Sequence, residues 1–112
     1  MRKKILIVED NVLMIEVMTY ILINNGYEVT AITTGAEVFN GIKTSHPDLI
    51  IMDYILPDIN GLEICQLIKL NKTTQNLPVI MCSGDESING ALKLKGAPDD
   101  ILQKPFDIIC GI

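Results

Sequence analysis

Three stretches of the chain are apolar at almost every position and then stop at a polar one: Lys4 to Val8 before Glu9-Asp10, Asp48 to Asp53, and Leu77 to Ser83. A short apolar run without alternation is the pattern of a strand covered on both faces, as in a parallel sheet flanked by helices. Tyr27 to Thr33 and Asp100 to Gln103 are more polar and are expected at the sheet edges. Between the strands, Leu13, Val17 and Ile21, and beside them Met14 and Met18, recur at helical spacing, with Asn24-Asn25-Gly26 as the stop. Thr34-Gly-Ala-Glu37 has the form of a capping box and predicts a second helix burying Val38, Phe39 and Ile42. Asn60 followed by Glu63 starts a third, burying Leu62, Cys65 and Ile68. A fourth, around Glu86 to Lys95, contains Asn89-Gly90 and is expected to be the least stable.

Strands alternating with helices in this way indicate an α/β fold of five βα units, a doubly wound parallel sheet. With no linker, repeat or low-complexity stretch, a single domain over residues 1–112 is expected. Only seven residues follow Pro105, so the last helix is expected to be short or cut off.

Composition narrows the function classes. Fourteen Asp and Glu against nine Lys and Arg give a net charge of −5, the wrong sign for a surface that neutralises nucleic-acid phosphates, so no direct nucleic-acid binding is expected. No apolar run approaches the ~18 residues of a membrane span. The basic start Met1-Arg2-Lys3-Lys4 resembles the head of a signal peptide, but the run after it ends at Glu9-Asp10 without a cleavage site. A cytoplasmic location is therefore the default. Cys65, Cys82 and Cys110 are odd in number and sit among apolar neighbours, which suits reduced core thiols. One histidine and no Cys-x-x-Cys leave little material for zinc, and His46 is expected in a loop.

The chemistry collects at the strand ends, where open α/β sheets bind ligands. Glu9-Asp10 ends the first run, Asp53 the third, Ser83 the fourth, and Lys104 follows the fifth. Singly, each has an ordinary reading as a turn, cap or solvated residue. Together, three carboxylates about 5 Å apart would repel by ~3 kcal/mol per pair at an effective dielectric of about 20. A hard cation with oxygen ligands, Mg2+, would relieve that. Such a site suits phosphoryl transfer, with Asp53 as nucleophile, Lys104 and Ser83 holding phosphate oxygens, and Gly84 leaving the approach open.

At these residues the sequence resembles the response-regulator receiver family of two-component signalling, the CheY-like domains. The resemblance rests on Glu9-Asp10, on Asp53-Tyr-Ile-Leu-Pro57 leading through Asp58 to Gly61, on Ser83-Gly84, and on Lys104-Pro105-Phe106, in that order. It implies the flavodoxin-like strand order 2-1-3-4-5 and a switch that catalyses only its own phosphorylation and dephosphorylation. It further implies that Glu9, Asp10, Asp53 and the main-chain carbonyl of Ile55 hold Mg2+. Asp53 would accept a phosphoryl group from a sensor histidine kinase or a histidine phosphotransfer protein, and Ser83, Gly84 and Lys104 would bind the phosphate. The Lys104-Pro105 bond would be cis. The signal would pass to a downstream protein or output domain through the fourth helix and fifth strand.

Three departures accompany the resemblance. The family generally has an aromatic residue where this chain has Ile101, so an aromatic-rotamer switch is not available. The segment from Ser83 to Lys104 is about one residue short, with Gly96 to Asp100 about one residue long. Little remains for a last helix. With Ile55 and Asp85 two positions beyond Asp53 and Ser83, an attacking water lacks an orienting group at Ile55, which predicts a long-lived phosphoryl group. Among other readings, a haloacid-dehalogenase-type phosphatase would need an acid at Ile55. A flavodoxin would need a phosphate loop where Glu9-Asp10-Asn11 stand. A receiver fold whose output no longer depends on phosphorylation is the third.

Overall fold

The computed structural model describes residues 2–83 and 96–103, the last two by their backbone alone. Gly84, Asp85, the fourth helix expected at Glu86 to Lys95, Lys104, the cis bond at Pro105, Cys110 and the short last helix lie outside the described residues.

The five expected strands form one sheet: β1 (Lys4–Val8), β2 (Glu28–Ile32), β3 (Leu49–Asp53), β4 (Val79–Ser83) and β5 (Asp100–Gln103). They lie in the order β2-β1-β3-β4-β5 and every pairing is parallel. The apolar runs therefore occupy the three central positions and the more polar ones the edges. β4 starts two residues later than the apolar run because Pro78 has no N–H to give; its carbonyl still accepts from the Ile50 N–H at 3.0 Å.

Period-two alternation divides each run between two cores. Leu6, Val8, Ile50, Met52, Val79 and Met81 face one side, under Val38 of α2 (Val38–Ser45) and Ile64, Cys65 and Ile68 of α3 (Gly61–Leu70). Ile5, Ile7, Ile51 and Cys82 face the other, under Met18 and Leu22 of α1 (Val12–Asn24). Cys65 and Cys82 are buried free thiols, and burial pushes the Cys65 thiol up to about 11, which keeps it protonated and inert.

Two helices differ in detail from the sequence pattern. In α1, Met14, Met18, Ile21 and Leu22 turn inward, while Leu13 (72% exposed) and Val17 (44%) face solvent. The helix is apolar on all sides, so periodicity does not choose its buried face. Asn11 caps it by accepting the Met14 N–H at 3.1 Å, and Gly26 closes it at φ +89°. At the second helix, Phe39 lies at the surface while Val38 is buried. The capping box there is replaced. Thr34 Oγ1 donates to Glu37 Oε1 at 2.8 Å instead of capping the backbone, and residues 35–37 form a 3-10 turn before α2. The freed Gly35 and Ala36 N–H groups donate to the Asp58 carboxylate, at 2.8 Å each, from a distant loop. A charged carboxylate is a strong acceptor for these two N–H groups, while the Glu37 N–H turns to the Thr34 carbonyl at 3.4 Å. His46, as expected, lies outside the helix, in the left-handed cap that ends α2.

No helix among the described residues is long and apolar enough to cross a membrane.

Candidate functional site

Strand register alone brings the acidic residues together. Val8 pairs with Met52, so the next residues, Glu9 and Asp53, leave adjacent strands side by side. Asp53 in turn pairs with Cys82, and Ser83 follows it at the end of β4. Glu9 is extended onto the rim by its N–H, which donates to the Ile32 carbonyl at 3.0 Å. Its carboxylate then folds back over the chain, accepting from the N–H groups of Asp10 (3.1 Å) and Asn11 (3.3 Å). This local turn places Asp10 beside it.

One carboxylate oxygen from each of Glu9, Asp10 and Asp53 lies within 4.8 Å of the other two. Glu9 is 1% exposed and Asp53 9%, whereas Asp10 is open to solvent. Two largely buried carboxylates and a third open to solvent concentrate negative charge in a place where water screens it poorly. The donors are all hard oxygens, with neither His nor Cys among them. That chemistry fits a divalent cation such as Mg2+, which keeps several waters and takes few protein ligands. Ser83, 3% exposed, stands next to this cluster on the neighbouring strand.

The loop after Asp53 is pinned at several points. Tyr54 N–H donates to the Cys82 carbonyl at 2.9 Å, and Gly61 N–H donates to the Tyr54 carbonyl at 2.7 Å. Ile55 pairs with Asn60 in an isolated antiparallel bridge, and Leu56 sinks into the core. The chain returns so closely that a Cβ on Gly61 would collide with the main-chain carbonyl of Asp53. Glycine is required there by space. Farther out, Asp58 reaches the start of the 3-10 turn. The hydrogen bond from Gly35, helped by that from Ala36, holds its carboxyl below the usual carboxylate range. Ile55, two residues beyond Asp53, is 71% exposed.

The structure thus brings together Glu9, Asp10, Asp53, Ser83 and the Ile55 loop, all singled out in the sequence. Ile101 sits in β5 opposite Met81 and packs, partly buried, on the α2 and α3 side of the core. Gly84, Lys104 and Pro105 are outside the described residues. Sequence reasoning missed the part played by Asp58, whose partners lie 22 and 23 residues away. The available signal was indirect: Gly35 and Ala36 are early helix N–H groups in need of acceptors.

Comparison with known proteins agrees with this arrangement. The alkaline phosphatase synthesis transcriptional regulatory protein PhoP of Bacillus subtilis is 35% identical over 107 residues, covering 95% of this chain and 44% of that protein. The chain accordingly spans about half the length of the curated relatives it matches. Among solved structures, the receiver domain of Francisella response regulator 1452 superposes with a TM-score of 0.85 at 28% identity, covering 99% of this chain and 91% of that one. The phosphorylated cyanobacterial phytochrome response regulator RcpA gives 0.85 at 26% identity, covering 98% and 86%. The family model described as the response regulator receiver domain matches residues 5–109, and the chain belongs to that family of two-component signalling switches.

Proposed function

We propose that this domain accepts a phosphoryl group on Asp53 from a phosphohistidine, carried by a sensor histidine kinase or a histidine phosphotransfer protein in the cytoplasm, in a Mg2+-dependent reaction. The observation that carries the reading is the cluster of Glu9, Asp10 and Asp53 oxygens within 4.8 Å, built from two strand ends. Family membership supports it.

In the transfer, an Oδ atom of Asp53 attacks phosphorus. The O–P bond forms as the N–P bond of the phosphohistidine breaks, and the electron pair stays on the imidazole nitrogen. Glu9, Asp10, Asp53 and the main-chain carbonyl of Ile55 would hold Mg2+. The ion supplies positive charge that offsets repulsion between the carboxylate and the incoming phosphoryl oxygens. Ser83 offers a hydroxyl donor to one oxygen of the new phosphate, with the Gly84 backbone and the Lys104 ammonium serving the others. Because Ser83 ends β4 against β5, drawing it toward a phosphate would move the β4 and β5 end of the domain. Ile101 offers no aromatic ring to report that movement, so the output travels by the backbone to a downstream protein or to an output domain. In a longer protein such a domain would lie in the half its relatives have beyond this match.

The test is intact-mass analysis after incubation with Mg2+ and acetyl phosphate. One acid-labile phosphoryl group is expected, absent without Mg2+ and absent in Asp53→Asn. No adduct on the wild type, or one that persists in Asp53→Asn, would refute the proposal.

A further inference from the structure

The geometry points to Asp58 as a positioning residue for the cation site: its carboxylate ties the loop that carries the Ile55 carbonyl to the start of α2. The inference rests on the phosphoacceptor reading above, in which that carbonyl is a metal ligand.

Of the rim's oxygen donors, the carboxylates of Glu9 and Asp53 are set by the ends of β1 and β3, elements fixed by the core. The Ile55 carbonyl lies outside any strand and is set by how its loop is held. It lies in the loop that leaves β3 at Tyr54 and returns at Gly61, and an exposed side chain gives Ile55 little packing of its own. The base of the loop is closed by the Gly61 to Tyr54 hydrogen bond and the Ile55–Asn60 bridge. Its outer arm is held from outside by Asp58, through two 2.8 Å hydrogen bonds to Gly35 and Ala36. Those donors belong to a different βα unit, packed on the core through Val38. Removing the carboxylate takes away the polar anchor of the outer arm, leaves it held by the packing of Leu56 and Ile59, and frees it to shift relative to the strand ends. A main-chain ligand displaced by a fraction of an ångström weakens a small, geometrically demanding ion such as Mg2+.

The partners of Asp58 also separate this role from simple helix capping. Thr34 and Glu37 are joined by a side-chain hydrogen bond at the same helix start, apart from the two N–H groups that Asp58 accepts. Asp58→Ala and Thr34→Ala therefore both perturb that turn, and only the first releases the loop.

The experiment is calorimetric titration of wild type, Asp58→Ala, Asp58→Asn and Thr34→Ala with MgCl2, at a temperature where circular dichroism shows each to be folded. Asp58→Ala is expected to raise the Mg2+ Kd by about tenfold, the size typical of losing support behind a metal ligand. Its phosphorylation rate from acetyl phosphate at saturating Mg2+ is expected to stay within about twofold of wild type, since the nucleophile is untouched. Asp58→Asn keeps one acceptor oxygen and the shape, and is expected to fall between; it carries the test if the alanine variant does not fold. Thr34→Ala is expected to bind Mg2+ like the wild type. A wild type that binds Mg2+ while both Asp58 variants match it within twofold would overturn this inference alone. Absence of Mg2+ binding by the wild type would overturn the cation reading and this inference with it.

Discussion

At the amino ends of the strands, charges of opposite sign meet. Lys69 Nζ lies 2.6 Å from Asp99 Oδ2 and also donates to the Leu77 carbonyl, while Asp99 accepts the Val79 N–H. Nearby, Asp48 accepts the Lys4 N–H beside a cleft of about 280 Å³ lined by Arg2, Lys3, Lys4, His46 and Asp48. At the carboxyl ends of the same strands, three carboxylates of one sign crowd within 4.8 Å among the described residues, two of them largely buried. A fold selected only for stability would have treated both ends alike. The difference marks the carboxyl rim as a place where like charge is concentrated at a cost in stability, and it is there that the proposed function puts a cation and a phosphoryl group.

The comparison breaks first if the rim is not under electrostatic tension. Asp53→Asn, without Mg2+, is expected to raise unfolding stability by ~1–3 kcal/mol, because it removes one member from each of two like-charge pairs. Urea denaturation measures this, and a loss of stability would show that the cluster is comfortable as it stands. Adding MgCl2 is expected to stabilise the wild type and to have a much smaller effect on the variant.

A second test sharpens what the rim does after phosphorylation. The Ile55 side chain, two residues beyond Asp53, is exposed and apolar and cannot orient a water. Ile55→Asn is expected to shorten the phosphoryl half-life by about tenfold, followed by loss of the mass adduct. An unchanged lifetime would remove Ile55 from the account.

At the other end, Lys69→Met is expected to cost about 1 kcal/mol in urea, since the Lys69 head is mostly covered but Asp99 is half exposed. Acetyl phosphate labelling should not change. Burial pushes the Asp99 carboxyl up, yet the hydrogen bonds from Lys69 and Val79 outweigh it and hold it below the ordinary 3.8. A depressed folded pKa stabilises above the unfolded value and is lost as pH falls through the folded one. The wild type should therefore lose this contribution only below about pH 4, and the stability gap to Lys69→Met should narrow there. A gap that stays constant down to pH 2 would contradict the ion-pair account.

Much of this arrangement is legible in the chain before folding. The runs at Leu6, Ile50 and Met81 are apolar on both faces, so they could only be central strands. Once those strands are parallel, Glu9, Asp53 and Ser83 must emerge at one edge. The buried side of α1 was not legible, because Leu13 and Met14 are equally apolar and only the tertiary contact separates them. Nor was the Asp58 anchor. Local pattern assigned the helix start to Thr34, and a carboxylate from a loop more than 20 residues on took the N–H groups of Gly35 and Ala36.

The central claim is that one particular carboxylate of the three becomes phosphorylated. Borohydride reduction of the acetyl phosphate-treated protein, followed by peptide sequencing in a mass spectrometer, converts an acyl phosphate on aspartate to homoserine and so marks the acceptor. Conversion at Asp53 alone is the predicted result; conversion at Asp10 or Asp58 with Asp53 intact would contradict it.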